Sequence, residues 1–228
     1  MAFPETGLVS FWKFDGNSVD SVGANNGTDT AITYSAGNGK VNSGAGFARA
    51  SSSKIVMAHN NLYDFGTGDF TESIWMKSAD TDKTNYWLVS ECDLAASGNG
   101  IDILTQITTG TARVWVGGVV KVGTVNIMDA AWHNIIISRA SGVVSQYIDN
   151  VFDVSATQAG SVTVANSRIN FGFANGVYSN LALDACGIWN RALTSDDRTA
   201  IYNGGAGSQP GSQSLVPLLM NQYRQRRA

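Results

Sequence analysis

Two tryptophans beside polar residues are the first candidates for chemistry, because an exposed aromatic ring next to hydroxyl and charged groups can hold a sugar. Trp75 shares a strand face with Ser73 and Lys77 in the segment DFTESIWMK. Trp115 shares its face with Arg113 in the segment TARVWVGG. Both are predicted glycan-binding candidates, and core packing in a β-sandwich is the alternative for each.

Two acidic residues stand in strand-like segments among apolar neighbours. Glu72 is in register with Phe70, Ile74 and Met76, on the strand face opposite Trp75, and we expect it to line a ligand-binding face as a third glycan-binding candidate. Asp184 interrupts the apolar segment LALDACGIW. A buried carboxylate needs hydrogen bonds or a cation, so each position is a candidate site.

The segment 180–205 predicts a strand followed directly by a capped helix. Alternation over 181–189 places Asp184, Cys186 and Ile188 on one face and the residues between them on the other. Thr194 followed by Asp197 three residues later predicts a capping box. The helix is expected to end at the sequence NGG, 203–205.

The composition of the 228-residue chain favours one all-β domain. Gly occurs 25 times and Pro only 3 times, and Val, Thr and Ser are frequent. The net charge is -3 without a basic cluster in the body of the chain, which argues against nucleic-acid binding, and no apolar run is long enough for membrane insertion. Further strands are predicted at 7–15, 45–49, 54–58, 69–77, 85–91, 100–107, 151–155 and 168–173, with hairpins at 111–122 and 132–149.

The cysteines and the first residues bear on the compartment. Cys92 and Cys186 lack metal-ligand spacing and are expected to be two buried thiols, with a disulfide as the alternative. The sequence MAFPETGLVSFW lacks the basic and apolar regions of a signal peptide. Export by that route is not expected.

Four segments in order carry a family resemblance: GLVSFWKFDGNSVDSVGANNGT, DFTESIWMK, WHNIIISR with QYIDN, and LDACGIWNRALTSDDRTAIYNGG. Together they resemble the laminin-G-like, concanavalin A-like jelly-roll family over about residues 7–205. The resemblance implies a two-sheet antiparallel jelly-roll β-sandwich with a concave face and one short C-terminal helix. Members of the family include glycan-binding modules, adhesion domains, glucanases and surface parts of larger assemblies.

Glucanases of this fold carry a Glu-x-Asp-x-x-Glu strand whose outer carboxylates do the catalysis. The nearest match here begins at Glu91, continues through Asp93, and has Ala96 where the second glutamate is needed. The chain is therefore expected not to be an enzyme of this type.

The resemblance also implies a place for calcium, because ligands in calcium-binding members can come from the first and last strands, which lie side by side. Asp15, Asp20 and Asp184 match those positions, and Asp20 with Asp184 is the preferred pair. The alternative is structural: Asp20 stabilises its own turn, and Asp184 accepts backbone hydrogen bonds from that loop.

The end of the chain suggests an assembly role. Residues 206–214 are predicted to be a linker between the 1–205 domain and an amphipathic basic tail, 215–228, whose candidate docking residues are Leu215, Val216, Leu218, Leu219, Met220, Arg224, Arg226 and Arg227. We expect the tail to dock on another protein subunit, with folding back onto its own domain as the alternative. Together with the missing signal peptide, this favours a non-catalytic surface component of a phage virion, or a protein released outside the cell. A free carbohydrate-binding lectin is the rival function.

Overall fold

Antiparallel strands make up nearly all regular structure in this computed structural model, which describes residues 1–58, 64–80, 87–90, 100–106, 108–163 and 168–211. One α-helix, α1 (Ser195–Tyr202), and short 3-10 turns accompany them. The strands are β1 (Leu8–Trp12), β2 (Thr28–Thr30), β3 (Thr33–Ser35), β4 (Gly44–Phe47), β5 (Lys54–Met57), β6 (Phe70–Lys77), β7 (Trp87–Ser90), β8 (Ile101–Thr105), β9 (Thr111–Val116), β10 (Val119–Asn126), β11 (Trp132–Ala140), β12 (Val143–Ile148), β13 (Val151–Thr157), β14 (Ile169–Phe171), β15 (Phe173–Ala174), β16 (Val177–Tyr178) and β17 (Leu181–Trp189).

The described strands form two large sheets. The first sheet runs β13-β12-β11-β6-β17-β4-β3, and β1 also pairs with β17. The second sheet runs β10-β9-β8-β7-β14-β5-β2, while β15 and β16 form a separate hairpin. The predicted all-β, two-sheet antiparallel sandwich is confirmed.

The main core lies between the two sheets and is built from the inward side chains of both. Phe70, Ile74 and Met76 of β6 belong to it, as the alternation of that strand requires. Glu72 is in the same register, pairs with Ile137 and Ile188 on the neighbouring strands, and is only 2% exposed. Its predicted place on an open ligand-binding face is therefore wrong, because this face of β6 points into the sandwich.

The outer face of the first sheet carries a second apolar layer over part of its area. Trp189 and Ile136 pack there with Leu193 and Ile201, which helix α1 and the loop before it supply. The predicted capping box starts the helix: Thr194 accepts the N–H of Asp197, and Asp197 accepts that of Thr194. The helix therefore lies on this part of the sheet.

A bulge in β17 corrects the predicted division of its two faces. Asp184 pairs with Trp75, but the next aligned pair is Gly187 with Ser73, so β17 contains one extra residue there. Ala185 takes a left-handed conformation, with φ of 46°. As a result Leu183 and Cys186 both face the main core, whereas strict alternation had placed them on opposite faces.

The hairpins predicted at 111–122 and 132–149 are present as β9–β10 and β11–β12. The short strands β2, β3, β15 and β16 were not predicted. Described residues of the predicted linker contact the domain, since Gly207 donates to the carbonyl of Tyr202 and Gln209 donates to Asp15. The linker and tail boundaries remain predictions, because 212–228 lie outside the described residues.

Candidate functional site

Next to the helix-covered area, the outer face of the first sheet opens into a cleft of about 490 Å³. Strands β3, β4, β6 and β17 supply its base, and the segments around 37–38, 78–80 and 130 surround it. Its lining residues are Thr33, Asn38, Gly46, Phe47, Ala48, Lys77, Ser78, Ala79, Ala130, Asn180, Leu181 and Ala182.

The floor of the cleft is low because small residues meet across three strands. Ala182 pairs with Gly46 on one side and with Lys77 on the other. A Cβ atom on Gly46 would lie 2.2 Å from Nδ2 of Asn38, so the glycine lets the Asn38 side chain approach the sheet. The geometry leaves space above the floor that a ligand could fill.

Most polar groups around the cleft already bind one another. Asn38 donates to the carbonyl of Thr33 at 3.1 Å. Ser78 donates to the carbonyl of Asn180 at 2.8 Å, and Asn180 donates to the carboxylate of Asp80 at 2.6 Å. Arg49 completes this group by an ion pair with Asp80 at 3.4 Å. These contacts fix the shape of the walls.

Among the described residues, Lys77 is the one charged side chain that lines the cleft. Its ammonium lies 3.4 Å from the carbonyl oxygen of Gly37 and 5.4 Å from the ring centroid of Trp132. Within the described part of the chain, no carboxylate lies within ion-pair distance of it. Lys77 therefore brings a positive charge to the cleft that no carboxylate of the described residues neutralises directly.

Two carboxylates hold the segment that leads from this wall into β4. Asp184 accepts the backbone N–H groups of Lys40 at 2.6 Å and Val41 at 2.7 Å. Asp15 accepts the N–H of Ser43 at 3.0 Å. Both acidic side chains thus fix the backbone of residues 40–43, which the sequence did not predict.

Burial dominates the electrostatics of Asp184. Its burial raises the pKa of the carboxyl to about 7, although the N–H groups of Val41, Lys40 and Ala185 favour the charged form, and the nearby charge of Asp15 raises it further. Near neutral pH the carboxyl therefore exchanges a proton while it holds the cleft segment.

Asp20 lies in a different hydrogen-bond group. Its carboxylate accepts the backbone N–H of Phe11 on β1 and those of Val22 and Gly23 in its own turn. Burial raises the pKa of Asp20, but these hydrogen bonds outweigh it and hold the pKa below its usual value. Asp184 holds the same segment as Asp15 and not the turn of Asp20, and the pairing of Asp20 with Asp184 at a calcium ion stays a prediction.

Calcium at these residues remains a prediction. Across the described residues, no group of three or more His, Cys, Asp or Glu side chains is arranged to hold a metal ion. The carboxylate oxygens of Asp20 and Asp184 accept N–H groups, which a cation would have to share. Melting with added calcium or EDTA tests the prediction.

Trp75 is not an exposed sugar platform. Its side chain is 1% exposed and its ring stacks on that of Tyr202, with centroids 5.7 Å apart. The ammonium of Lys40 lies 4.7 Å from the centre of its ring. The tryptophan is therefore covered, and Lys77, predicted on the same strand face, is the residue that reaches the cleft.

Trp115 lies on the outer face of the second sheet, opposite Asp102 and Val120 on the flanking strands. It is half-buried and belongs to none of the core clusters of the described residues. It stays a glycan-binding candidate, distant in the fold from the cleft because the two sites occupy outer faces of different sheets. The segment containing Glu91, Cys92 and Ala96 and the tail 215–228 lie outside the described residues.

Sequence reasoning did not find the cleft. Its floor combines residues 33, 46, 77 and 182, which are far apart in the chain and meet only through the strand order. Glycine and alanine at outward positions give no motif. The one available signal was Lys77 on an outward strand face.

The comparisons agree with this architecture. A family model described as Laminin_G_3, of the concanavalin A-like lectin/glucanases superfamily, matches residues 49–197. No curated protein sequence matches the chain significantly. Within the described part of the chain, no helix is long and apolar enough to span a bilayer.

Several solved structures share the fold. The binding domain of Paraclostridial Mosquitocidal Protein 1 aligns with a TM-score of 0.73 and 19% identity, over 88% of this chain and 52% of that one. The binding domain of botulinum neurotoxin serotype D aligns with a TM-score of 0.67 and 15% identity, over 87% and 52%. The chain thus spans about half the length of these toxin binding domains.

A third solved structure is itself covered almost completely by the alignment. Domain 4 of AbnA, a GH43 extracellular arabinanase from Geobacillus stearothermophilus, was solved in complex with arabinotriose. It aligns with a TM-score of 0.64 and 22% identity, over 84% of this chain and 96% of that domain. At these identities the likeness shows a shared fold.

Proposed function

This chain belongs to the concanavalin A-like lectin/glucanase superfamily, and we propose that it is a non-catalytic carbohydrate-binding module whose binding site is the cleft on the first sheet. The observation that carries the proposal is the cleft itself. Its volume of about 490 Å³ lies within the range of small-ligand sites and exceeds the space that one sugar ring needs. Its lining combines amide, hydroxyl and ammonium groups with apolar surface. A sugar likewise presents both polar groups and apolar C–H surface, so the two surfaces match in character.

The lining supports binding rather than hydrolysis. Glycosidases generally place two carboxyl groups on either side of the bond that they cleave. None of the residues that line the cleft in the described part of the chain is Asp or Glu. Asp80, just behind the wall, is engaged by Arg49 and Asn180. The site therefore offers recognition without a general acid or nucleophile.

The solved structures support a binding role. Two of them are described as binding domains of toxins, and the third was solved with arabinotriose bound. Because their sequence identity to this chain is low, no ligand can be assigned to it from theirs. They support the choice of a binding role to test first.

The test is a glycan array followed by titration calorimetry on the purified chain and on Ala182→Leu. Leucine at this floor position projects into the cleft, so we expect binding to fall by at least about tenfold through loss of space. The fold should persist, because the added atoms enter open volume rather than packed core.

The matched control is Ala140→Leu, which adds the same side chain at an exposed position on β11. It should bind like the unaltered chain. Binding that survives Ala182→Leu but is lost in Trp115→Ala would move the site to the second sheet. An array without any bound glycan would overturn the proposed function.

A finer role in a larger assembly remains a prediction from the sequence. Attachment to a phage virion through Leu215–Ala228 depends on residues outside the described ranges, and the amphipathic composition of the tail is its support. Deleting 212–228 tests it: the melting temperature should stay unchanged while incorporation into the assembly is lost. Normal incorporation of the shortened chain would contradict it.

A further inference from the structure

We propose that the cleft selects sugars that carry a carboxylate, such as uronic or sialic acid residues, and that Lys77 binds this group. The inference rests on the proposed carbohydrate-binding function and adds a ligand class to it. It follows from the hydrogen bonds that the polar groups around the cleft already make and from those that they can still form.

The neutral polar groups around the cleft already make hydrogen bonds within the protein, so few of their donors and acceptors are left for a ligand. The amide N–H groups of Asn38 and Asn180 donate to Thr33 and Asp80, respectively, and the hydroxyl of Ser78 donates to a backbone carbonyl. The amide oxygen of Asn180 accepts the N–H of Arg49 at 2.7 Å. A neutral sugar would therefore compete with contacts that hold the walls together.

Lys77 differs from these groups because an ammonium has three N–H donors. In the described part of the chain it has one protein acceptor, the carbonyl of Gly37, at the long distance of 3.4 Å. At least two donors can therefore point to a ligand. A carboxylate is the acceptor that gains most, because charge-assisted hydrogen bonds are stronger than neutral ones.

The surrounding acids do not cancel this preference. Asp80 is paired with Arg49, while Asp129 and Asp149 both bind His133 at 3.0 and 2.8 Å. Asp80 therefore has a cationic partner, whereas Asp129 and Asp149 share the imidazole of His133. Among the described residues none of the three lines the cleft or lies within ion-pair distance of Lys77, so the ammonium is the charged group that a ligand in the cleft meets directly.

A neighbouring ring adds a surface for the sugar. Trp132 pairs with Lys77 across β11 and β6, is half-buried, and has its ring centroid 5.4 Å from the ammonium. A ligand whose carboxylate reaches Lys77 therefore passes beside an aromatic ring. This combination suits a sugar acid better than a free small carboxylate.

The experiment compares ligands that differ by a carboxylate. Calorimetry measures trigalacturonate against neutral α-1,4-galactotriose, and 3′-sialyllactose against lactose, with acetate as the free carboxylate. We expect at least one acidic sugar to bind about tenfold more tightly than its neutral counterpart, and acetate to bind weakly. The preference should shrink as salt is raised from about 0.05 to 0.5 M.

Three variants assign the effect to one side chain. Lys77→Gln should remove the preference for the acid, Lys77→Arg should keep most of it, and Lys121→Gln, at an exposed position on β10, should change nothing. Melting curves of all three confirm folding.

Two outcomes would overturn the inference in different ways. Equal binding of acidic and neutral sugars, or a preference that survives Lys77→Gln, would refute acid selection and leave the carbohydrate-binding function standing. If none of these sugars and no glycan on the array binds, the proposed function fails and the inference falls with it.

Discussion

The outer face of the first sheet has two halves that contrast in side chains and in cover. In one half Trp189 and Trp75 are completely buried beneath helix α1 and the N-terminal residues. In the other, Gly46 and Ala182 form the floor of an open cleft with Lys77 beside it. The same strands, β6 and β17, run through both halves.

The contrast changes how outward aromatic residues are interpreted. A tryptophan on an outward strand face suggested a sugar platform, but in this sheet it marks where a helix packs. The indole of Trp189 even donates to the carbonyl of Pro4 at 2.8 Å, which ties the N-terminal segment to the sheet. Ligand access is found where outward side chains are small.

The largest expected effect is in the covered half. Trp189→Ala should lower the free energy of unfolding by about 3–5 kcal/mol, because it empties a fully buried site and removes the hydrogen bond to Pro4. Urea denaturation measures it. Trp132→Ala, at a half-buried tryptophan near the cleft, is the matched change and should cost less than half as much; equal losses would erase the distinction between the halves.

A second effect concerns pH at the boundary between the halves. The pKa of Asp184 is raised from 3.8 to about 7, so its contribution to stability is fully present below pH 3.8 and is lost as pH rises through about 7. The loss should amount to about 2–4 kcal/mol. Unfolding of the unaltered chain and Asp184→Asn is measured from pH 4 to 8, and the variant should lack most of this loss.

His133 needs to be separated from this effect. Hydrogen bonds to Asp149 and Asp129 raise its pKa above 6.5 despite its burial, so its stabilisation is also lost as pH rises, but only beyond 6.5. His133→Gln should therefore leave the slope between pH 4 and 6 in place. A flat slope in His133→Gln would assign the whole effect to the histidine.

A smaller effect concerns the start of the helix that covers one half. Thr194→Ala removes the hydroxyl that accepts the N–H of Asp197 and should cost about 1 kcal/mol. Thr194→Ser keeps the hydroxyl and should lie within a few tenths of a kcal/mol of the unaltered chain in the same denaturation assay. Equal losses in both variants would mean that the cap does not stabilise the helix.

The smallest effect on stability is expected in the open half. Lys77→Gln should change the free energy of unfolding by less than about 0.5 kcal/mol, because the ammonium makes one long hydrogen bond and no ion pair among the described residues. Denaturation under the conditions used for Trp189→Ala gives a direct comparison. A loss above 2 kcal/mol would show that Lys77 supports the fold.

Sequence patterns over a few residues correctly predicted the elements that depend on neighbouring residues. The hairpins and the capping box of Thr194 and Asp197 depend on neighbours in sequence, and they are present. The two-sheet architecture was predicted from the resemblance to the concanavalin A-like family. The strands β2 and β3 have only three residues each, too few for alternation to show.

The site itself depends on relations that sequence spacing does not contain. Alternation gave the register of Glu72 correctly, but the choice between interior and exterior face requires knowing where the second sheet lies. Asp184 was correctly noted as an acidic residue in an apolar strand, while its partners at 40 and 41 are brought to it by the strand order. The cleft arises from missing side-chain volume, and no residue type signals that.

The bulge at Ala185 makes the face assignment of β17 depend on a single insertion. Deleting that residue would restore uninterrupted alternation and leave Cys186 and Ile188 on the core side with Leu183, because Ala185 is the extra residue. Deleting a regular position of the strand, such as Gly187, would instead exchange the faces of Ile188 and Trp189 and move a tryptophan into the space between the sheets. A one-residue deletion should therefore be tolerated at Ala185 far better than at Gly187, and sequence alignments of relatives should place any gap within this strand at position 185.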